Sequence, residues 1–191
     1  MSVEIALRAL AEQLAGRRVP FAVVGGIAAS IRGEVRFTRG VDVAIVVATD
    51  EAVERLVREL RGVRYEVRTL VEHVTRGRIA TVRLRSPTGI LTDLLTASSG
   101  IEDEVVAHAT GVFIEGIGEV PVAAAEELLA LKVLSMGDRR LQDRLDARNI
   151  LLANPEIDLH RVRARLAQIR ERGYDRGEAL DQKLEQVRQE R

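Results

Sequence analysis

Apolar positions along the chain change period part-way, and the change divides it. Val3, Leu7, Leu10 and Leu14 recur at helical spacing and stop at Gly16, which predicts an amphipathic first helix closed by glycine. "FAVVGG" is a short apolar run that predicts a buried strand, and it leads straight into "GGIAASIRG", a small-residue helix ending at Gly33. "VDVAIVV" is β-branched and continuously apolar except at Asp42, as expected of a central strand covered on both faces. "TDEAVERLVRELRG" predicts a helix with Thr49 or Asp50 as N-cap and Gly62 as its stop. "YEVRTL", "RIATVRLRS" and "ILTDLLTA" then read as three strands, separated by Gly77 and by the turn "SPTG". Beyond Ile101 the pattern becomes helical. A helix over "IEDEVVAHA" and a pair of extended pieces around "VFIEGIGEVPV" precede four helices: "AAAEELLALKVLSM", "RRLQDRLDARNILLA", "IDLHRVRARLAQIRE" and "GEALDQKLEQVRQE".

The expectation is an α+β protein with a mixed sheet flanked by helices. Residues 1–122 form the α/β core, and residues 123–191 form a C-terminal helical region that packs on it and completes a site. No internal repeat or low-complexity linker interrupts this order.

Composition narrows the function. With 191 residues, 46% of them hydrophobic, the chain is long enough for one well-buried core. Formal net charge is zero, so no overall pull toward nucleic acid or an anionic membrane surface follows, and any such pull must be local. The absence of cysteine removes disulfides, thiolate nucleophiles and Cys-based zinc sites. His73, His108 and His160 have no ligand spacing and read as ordinary surface or half-buried residues. The opening "MSVEIALRALAEQLAG" mixes charges among its apolar residues, unlike a secretory leader, and no uncharged run could span a bilayer, so the expected location is the cytoplasm.

Four features carry candidate chemistry. The Gly25–Gly26 pair at a strand-to-helix turn allows close backbone approach, and free N–H groups at the helix start suit a phosphate; a tight turn without ligand has the same signature. Asp42 and Asp93 are single carboxylates in two apolar strands, costly to bury unless paired or coordinated. On neighbouring strands they would suit Mg²⁺, and the competing reading is salt bridges to Arg36 or Arg39. Lys132 is one of only two lysines among 29 basic residues, the other being Lys183. On the apolar helix "ELLALKVLSM" it must snorkel outward or meet an anion such as a phosphate. Asp143 and Asp146 share a helix face, where ion pairs with Arg139 and Arg140 are the plainer account.

Taken together, a glycine pair opening a helix, R-x-T ahead of an aspartate-bearing strand, a later strand aspartate, and P-V followed by lysine-bearing and acidic helices resemble the minimal nucleotidyltransferases of the DNA polymerase β type. The nearest resemblance is to the AbiEii toxin-like branch found in toxin–antitoxin pairs. The resemblance covers roughly residues 5–153. It implies two-metal nucleotidyl transfer with Mg²⁺ and an NTP substrate. Gly25 and Gly26 match the triphosphate loop, and Arg36 and Thr38 the lead-in to the strand. Asp42 matches the second metal-binding carboxylate of the D-x-D pair, and Asp93 the third. Lys132 matches the phosphate-contacting lysine, and Asp143 the acidic residue of the next helix, with Asp146 as the other candidate.

Gly40 is the departure: in "RFTRGVDV" it stands where the family carries the first aspartate. Residues 40 and 42 point to the same strand face, so that face loses one metal-binding arm, unless Glu34 or another acid supplies it.

Two readings therefore compete, an enzyme acting on an RNA (tRNA) or protein acceptor and a degenerate protein kept for nucleotide binding or protein interaction. Expected partners are an NTP, such an acceptor, a cognate toxin or antitoxin, and a second copy in a homodimer; no membrane is implied. A third reading is a ligand-free scaffold. Between Arg61 and Arg85 seven arginines face two glutamates, which suits either a phosphate backbone or a guarded sheet edge.

Overall fold

The computed structural model describes residues 2–73, 76–137 and 140–190. Its elements run α1 (Val3–Gly16), β1 (Phe21–Val23), α2 (Gly25–Arg32), β2 (Gly40–Ile45), α3 (Asp50–Gly62), β3 (Glu66–His73), β4 (Arg78–Arg85), β5 (Leu91–Leu95), α4 (Glu102–Ala107), β6 (Thr110–Ile114), β7 (Gly118–Val122), α5 (Ala125–Ser135), α6 (Leu141–Ala153), α7 (Leu159–Glu171) and α8 (Leu180–Gln189). The helix expected from Arg139 begins at Leu141, and Arg139 itself lies outside the described residues.

The strands form one mixed sheet in the order β3-β4-β5-β2-β1-β7-β6. β2 is its central member, antiparallel to β1 and parallel to β5. Val41, Val43 and Ile45 on one of its faces are fully buried, which accounts for the β-branched run in the sequence. On the other face the period of two leaves Gly40 and Asp42 aligned. Ser2 caps α1, whose apolar stripe of Leu7, Leu10 and Leu14 is wholly buried; Thr49 caps α3.

β3 is an edge strand, exposed along nearly its whole length with Val67, Leu70 and Val71 among its charges. Of the arginines around it, Arg78 pairs with Asp50 at 2.9 Å and Arg83 with Asp93. Charged side chains on an outer strand discourage strand addition.

α5 is the centre of the helical part, touching α2, α4, α6, α7 and α8. It is apolar on nearly every side, with Leu128, Leu129, Ala130 and Val133 fully buried, as suits an interior helix. Two charged residues, Glu127 and Lys132, are buried on it as well. No helix among the described residues is long and apolar enough to cross a membrane.

Candidate functional site

A cavity of about 920 Å³ opens between the sheet, the start of α2, helix α5 and the loop joining α7 to α8. Gly25, Gly26, Arg36, Thr38, Asp42, Asp93, Lys132 and Asp143 all line it, so topology collects residues spread over more than half the chain. Asp146 sits behind this wall, only 3% exposed.

Gly25 has φ +62°, and a Cβ there would lie 2.0 Å from Asp42 Oδ2. The glycine therefore lets the chain turn while keeping the Asp42 carboxylate against the helix start, and Gly26 donates its N–H to that carboxylate. A Cβ on Gly26 would meet Thr38 Oγ1 at 2.6 Å and Arg36 Nη2 at 3.1 Å. The pair is thus required by packing around Asp42, Thr38 and Arg36. Gly25→Ala should cost about 2 kcal/mol or more, the left-handed conformation and the collision acting together; urea unfolding measures it.

The parallel pairing of β2 with β5 sets Asp42 opposite Asp93, and the antiparallel pairing of β4 with β5 sets Arg83 opposite Asp93. Three charges lie in a row across three strands, spaced by about 4.8 Å per strand. Arg83 grips Asp93 with both prongs, Nε to Oδ1 at 2.8 Å and Nη2 to Oδ2 at 2.6 Å. The partner of Asp93 is therefore Arg83, whereas the sequence reading named Arg36 or Arg39.

Burial, and next the like charge of Asp93, push the Asp42 carboxyl above the ordinary aspartate range, against the opposing pull of Lys132 and the Gly26 N–H. A raised native pKa means that Asp42 favours the fold below the unfolded value, and that this contribution is lost as pH rises through the native one. Asp42→Asn keeps an acceptor for Gly26 and should stabilise the protein at pH 7 by about 0.5–2 kcal/mol, as is common where a site sacrifices stability. The gain should shrink as pH falls through the raised native value and be absent below about pH 4, where the carboxyl is protonated in the folded and unfolded states alike. Thermal unfolding of both proteins across pH checks this.

Lys132 does not face the cavity as a free cation. Its Nζ lies 2.8 Å from Asp143 Oδ1 and 2.7 Å from Asp146 Oδ2. Asp146 in turn takes Arg36 in a bidentate pair at 2.7 and 2.8 Å and accepts from Gln142 at 2.9 Å. Asp146 belongs to the interior, where the sequence reading allowed a solvated face with Arg139 and Arg140 as partners. Only Asp143 reaches Arg140, at 3.7 Å.

The cleft offers few donors for a pair of divalent metals. Gly40 offers no carboxylate, and a Cβ there would already stand 3.1 Å from the Leu91 carbonyl oxygen. Glu34 does not replace it, because its carboxylate accepts from Asn149 at 2.9 Å on an exposed surface. Both oxygens of Asp93 are held by Arg83. Among the described residues no group of three His, Asp or Glu is arranged to hold a metal ion. The residues present do not fit a two-metal centre.

Sequence reasoning missed Arg83 and Arg176 as site residues, as well as the loop carrying Gly173, Asp175 and Gly177, all of which line the cavity. That loop is anchored by Arg172 on Glu104 and by Tyr174, which packs against His73 with ring centroids 4.5 Å apart. Arg176 reaches the Ser98 carbonyl at 3.4 Å and forms no ion pair within 4 Å among the described residues. Its glycine-flanked setting, "RGYDRG", was the available signal of a tight turn.

The mixed seven-stranded sheet of this order, with a glycine turn beside a strand aspartate and a helical cap, is the fold of solved nucleotidyltransferase structures. An antigenic nucleotidyltransferase-like protein from Paracoccidioides brasiliensis is 21% identical, with 94% of this chain and 92% of that one covered at a TM-score of 0.55. ANT(2")-Ia in complex with adenylyl-2"-tobramycin is 17% identical, covering 89% and 97% at 0.56. The lincosamide antibiotic adenylyltransferase LnuA, bound to lincomycin, is 12% identical, covering 75% and 93% at 0.51. No protein-family model matches the chain, and no curated protein matches it in sequence.

Proposed function

We propose that this protein binds a nucleoside triphosphate in the cleft of a nucleotidyltransferase fold whose two-metal chemistry has been lost. One observation carries the reading. Asp93 is paired with Arg83 on the same sheet face where Gly40 offers no first carboxylate, so one of the two remaining carboxylates a metal would need is already paired within the protein. What favours retained nucleotide binding is the rest of the cleft: the Gly25–Gly26 turn, a cavity of about 920 Å³, and the guanidinium groups of Arg83, Arg140 and Arg176 on its wall.

The second reading is active nucleotidyl transfer, favoured by the likeness to adenylyltransferases. On that reading the acceptor is an RNA, such as tRNA, or a protein, and the setting is a toxin–antitoxin or defence module with a cognate partner. Under either reading residues 1–122 hold the core of the cleft and residues 123–191 close it.

Calorimetric titration with each NTP, followed by incubation with α-labelled NTP and RNA or protein, separates these readings. Binding without label transfer above that of an Asp42→Ala control is the expected result. Failure of every NTP to bind refutes the proposal, and Asp42-dependent transfer establishes the second reading. Gly40→Asp is a useful companion, since its Cβ requires only that the Leu91 end of β5 yield slightly.

A further inference from the structure

We infer that Arg83 is a resident cation occupying the place of a divalent metal, so that the Asp42–Asp93 pair takes no metal and the cleft meets phosphate through guanidinium groups. The inference deepens the nucleotide-binding proposal and rests on it for the identity of the ligand, though not for the exclusion of metal.

The geometry is specific. Two parallel neighbours, Asp42 and Asp93, set their carboxylates side by side. In water such a pair recruits a cation; in a cavity wall the need is stronger, because the charges are less screened. Arg83 comes from the opposite neighbour of Asp93 at the same register, so the sheet delivers a guanidinium to the pair without any loop having to move. Its Nε and Nη2 use both Asp93 oxygens. A carboxylate held bidentately by arginine has one lone pair of each oxygen engaged, so a metal that chelated both oxygens from that side would have to displace two charge-assisted bonds.

The guanidinium also keeps a working face. The Arg83 side chain is half exposed, while that of Asp93 is only 15% exposed. Nη1 of Arg83 has no protein partner among the described residues, and the side chain lines the cavity. Arginine presents five donors in a plane, so two can hold a carboxylate while others meet a phosphate oxygen.

Charge balance points the same way. The cavity wall carries acidic and basic side chains in equal numbers before any ion is added. Lys132 is neutralised by Asp143 and Asp146 and is not available to replace Arg83.

Titration with Mn²⁺ alone, followed by paramagnetic resonance and calorimetry, tests the metal arm independently of any nucleotide. Wild type should show no saturable site, whereas Arg83→Gln, checked for folding by circular dichroism, should gain one that Asp93→Asn in the same background removes. Saturable Mn²⁺ binding by wild type that is lost in Asp93→Asn overturns the inference, and this arm needs no Arg83 variant to fold. A folded Arg83→Gln protein that binds no more Mn²⁺ than wild type overturns it as well.

In the nucleotide arm, ATP affinity measured in EDTA and then in Mg²⁺ should differ by less than about tenfold, and Arg83→Gln should weaken binding in EDTA by about tenfold or more, the loss of one charge-assisted contact. ATP binding that appears only with Mg²⁺ overturns the inference. If ATP binds under neither condition the nucleotide reading falls, and the Mn²⁺ result still decides what Arg83 does.

Discussion

Asp146→Ala is expected to lose about 3–5 kcal/mol of folding stability at pH 7, the cost of breaking a buried ion pair by removing one member. Asp146 holds Arg36 by two bonds and Lys132 by one, and its own side chain is almost wholly enclosed. The substitution strands Lys132, which is 6% exposed, with Asp143 as its one remaining partner. It also frees Arg36, whose guanidinium packs beside Gly26, so the turn under Asp42 loses a support. Loss of stability and loss of ligand binding should therefore come together. Burial alone would raise the Asp146 pKa, but hydrogen bonds from Arg36, Lys132 and Gln142 outweigh it and hold the carboxyl below the usual aspartate range. A lowered native pKa means that the contribution is fully present above the unfolded value of about 3.9 and is lost as pH falls through the native one. Urea unfolding should thus show a large difference between wild type and Asp146→Ala at pH 7 and a smaller one below pH 3. A constant difference across that range would show that charge is not its source.

Much of this architecture is legible in the chain, and each miss has a physical reason. The β-branched, continuously apolar run "VDVAIVV" marks β2 as a central strand, and "ILTDLLTA" marks β5 as another strand bearing a single aspartate. Asp42 and Asp93 come together only if these strands are neighbours, and the parallel β2–β5 pairing makes them so. The partner of Asp93 was also within reach: "SPTG" turns β4 back on β5, with Ser86 N–H donating to the Ile90 carbonyl at 2.8 Å, and counting outward from that turn sets Arg83 opposite Asp93. Composition hid it, since arginine is so abundant that no single one draws notice.

Lys132 shows a different limit. Its isolation among arginines marks it as special but cannot say whether the anion it meets is a phosphate or a neighbour on α6. Two aspartates one helix away decide that, and their approach depends on how α5 and α6 pack. The α7–α8 loop was hidden for the same reason, because its place on the cavity wall depends on contacts more than sixty residues apart, such as Arg172 with Glu104.

Glu127→Ala should be equally severe, with a loss of about 3–5 kcal/mol, although it lies away from the carboxylate pair. Glu127 is on α5, fully buried, and binds two arginines of α7: Arg161 through both oxygens at 2.9 Å, and Arg165 at 3.0 Å. His108, at the end of α4, stands 3.7 Å away. One carboxylate thus ties α7 to the interior helix, and removing it leaves Arg165, whose side chain is only 11% exposed, without its ion-pair partner. Glu127→Met combined with Arg161→Met and Arg165→Met removes the charges together, and should recover most of the loss if the cost comes from the stranded arginines. Hydrogen exchange locates the effect, with α7 amides expected to lose protection before those of β2 and β5. Because α7 leads into the loop bearing Gly173, Asp175 and Arg176, loosening it should also weaken NTP binding while leaving the Asp42–Asp93–Arg83 row in place. If α7 keeps its full protection in the Glu127→Ala protein, the carboxylate is not what docks the helix, and apolar contacts through Val162, Leu166 and Ile169 suffice.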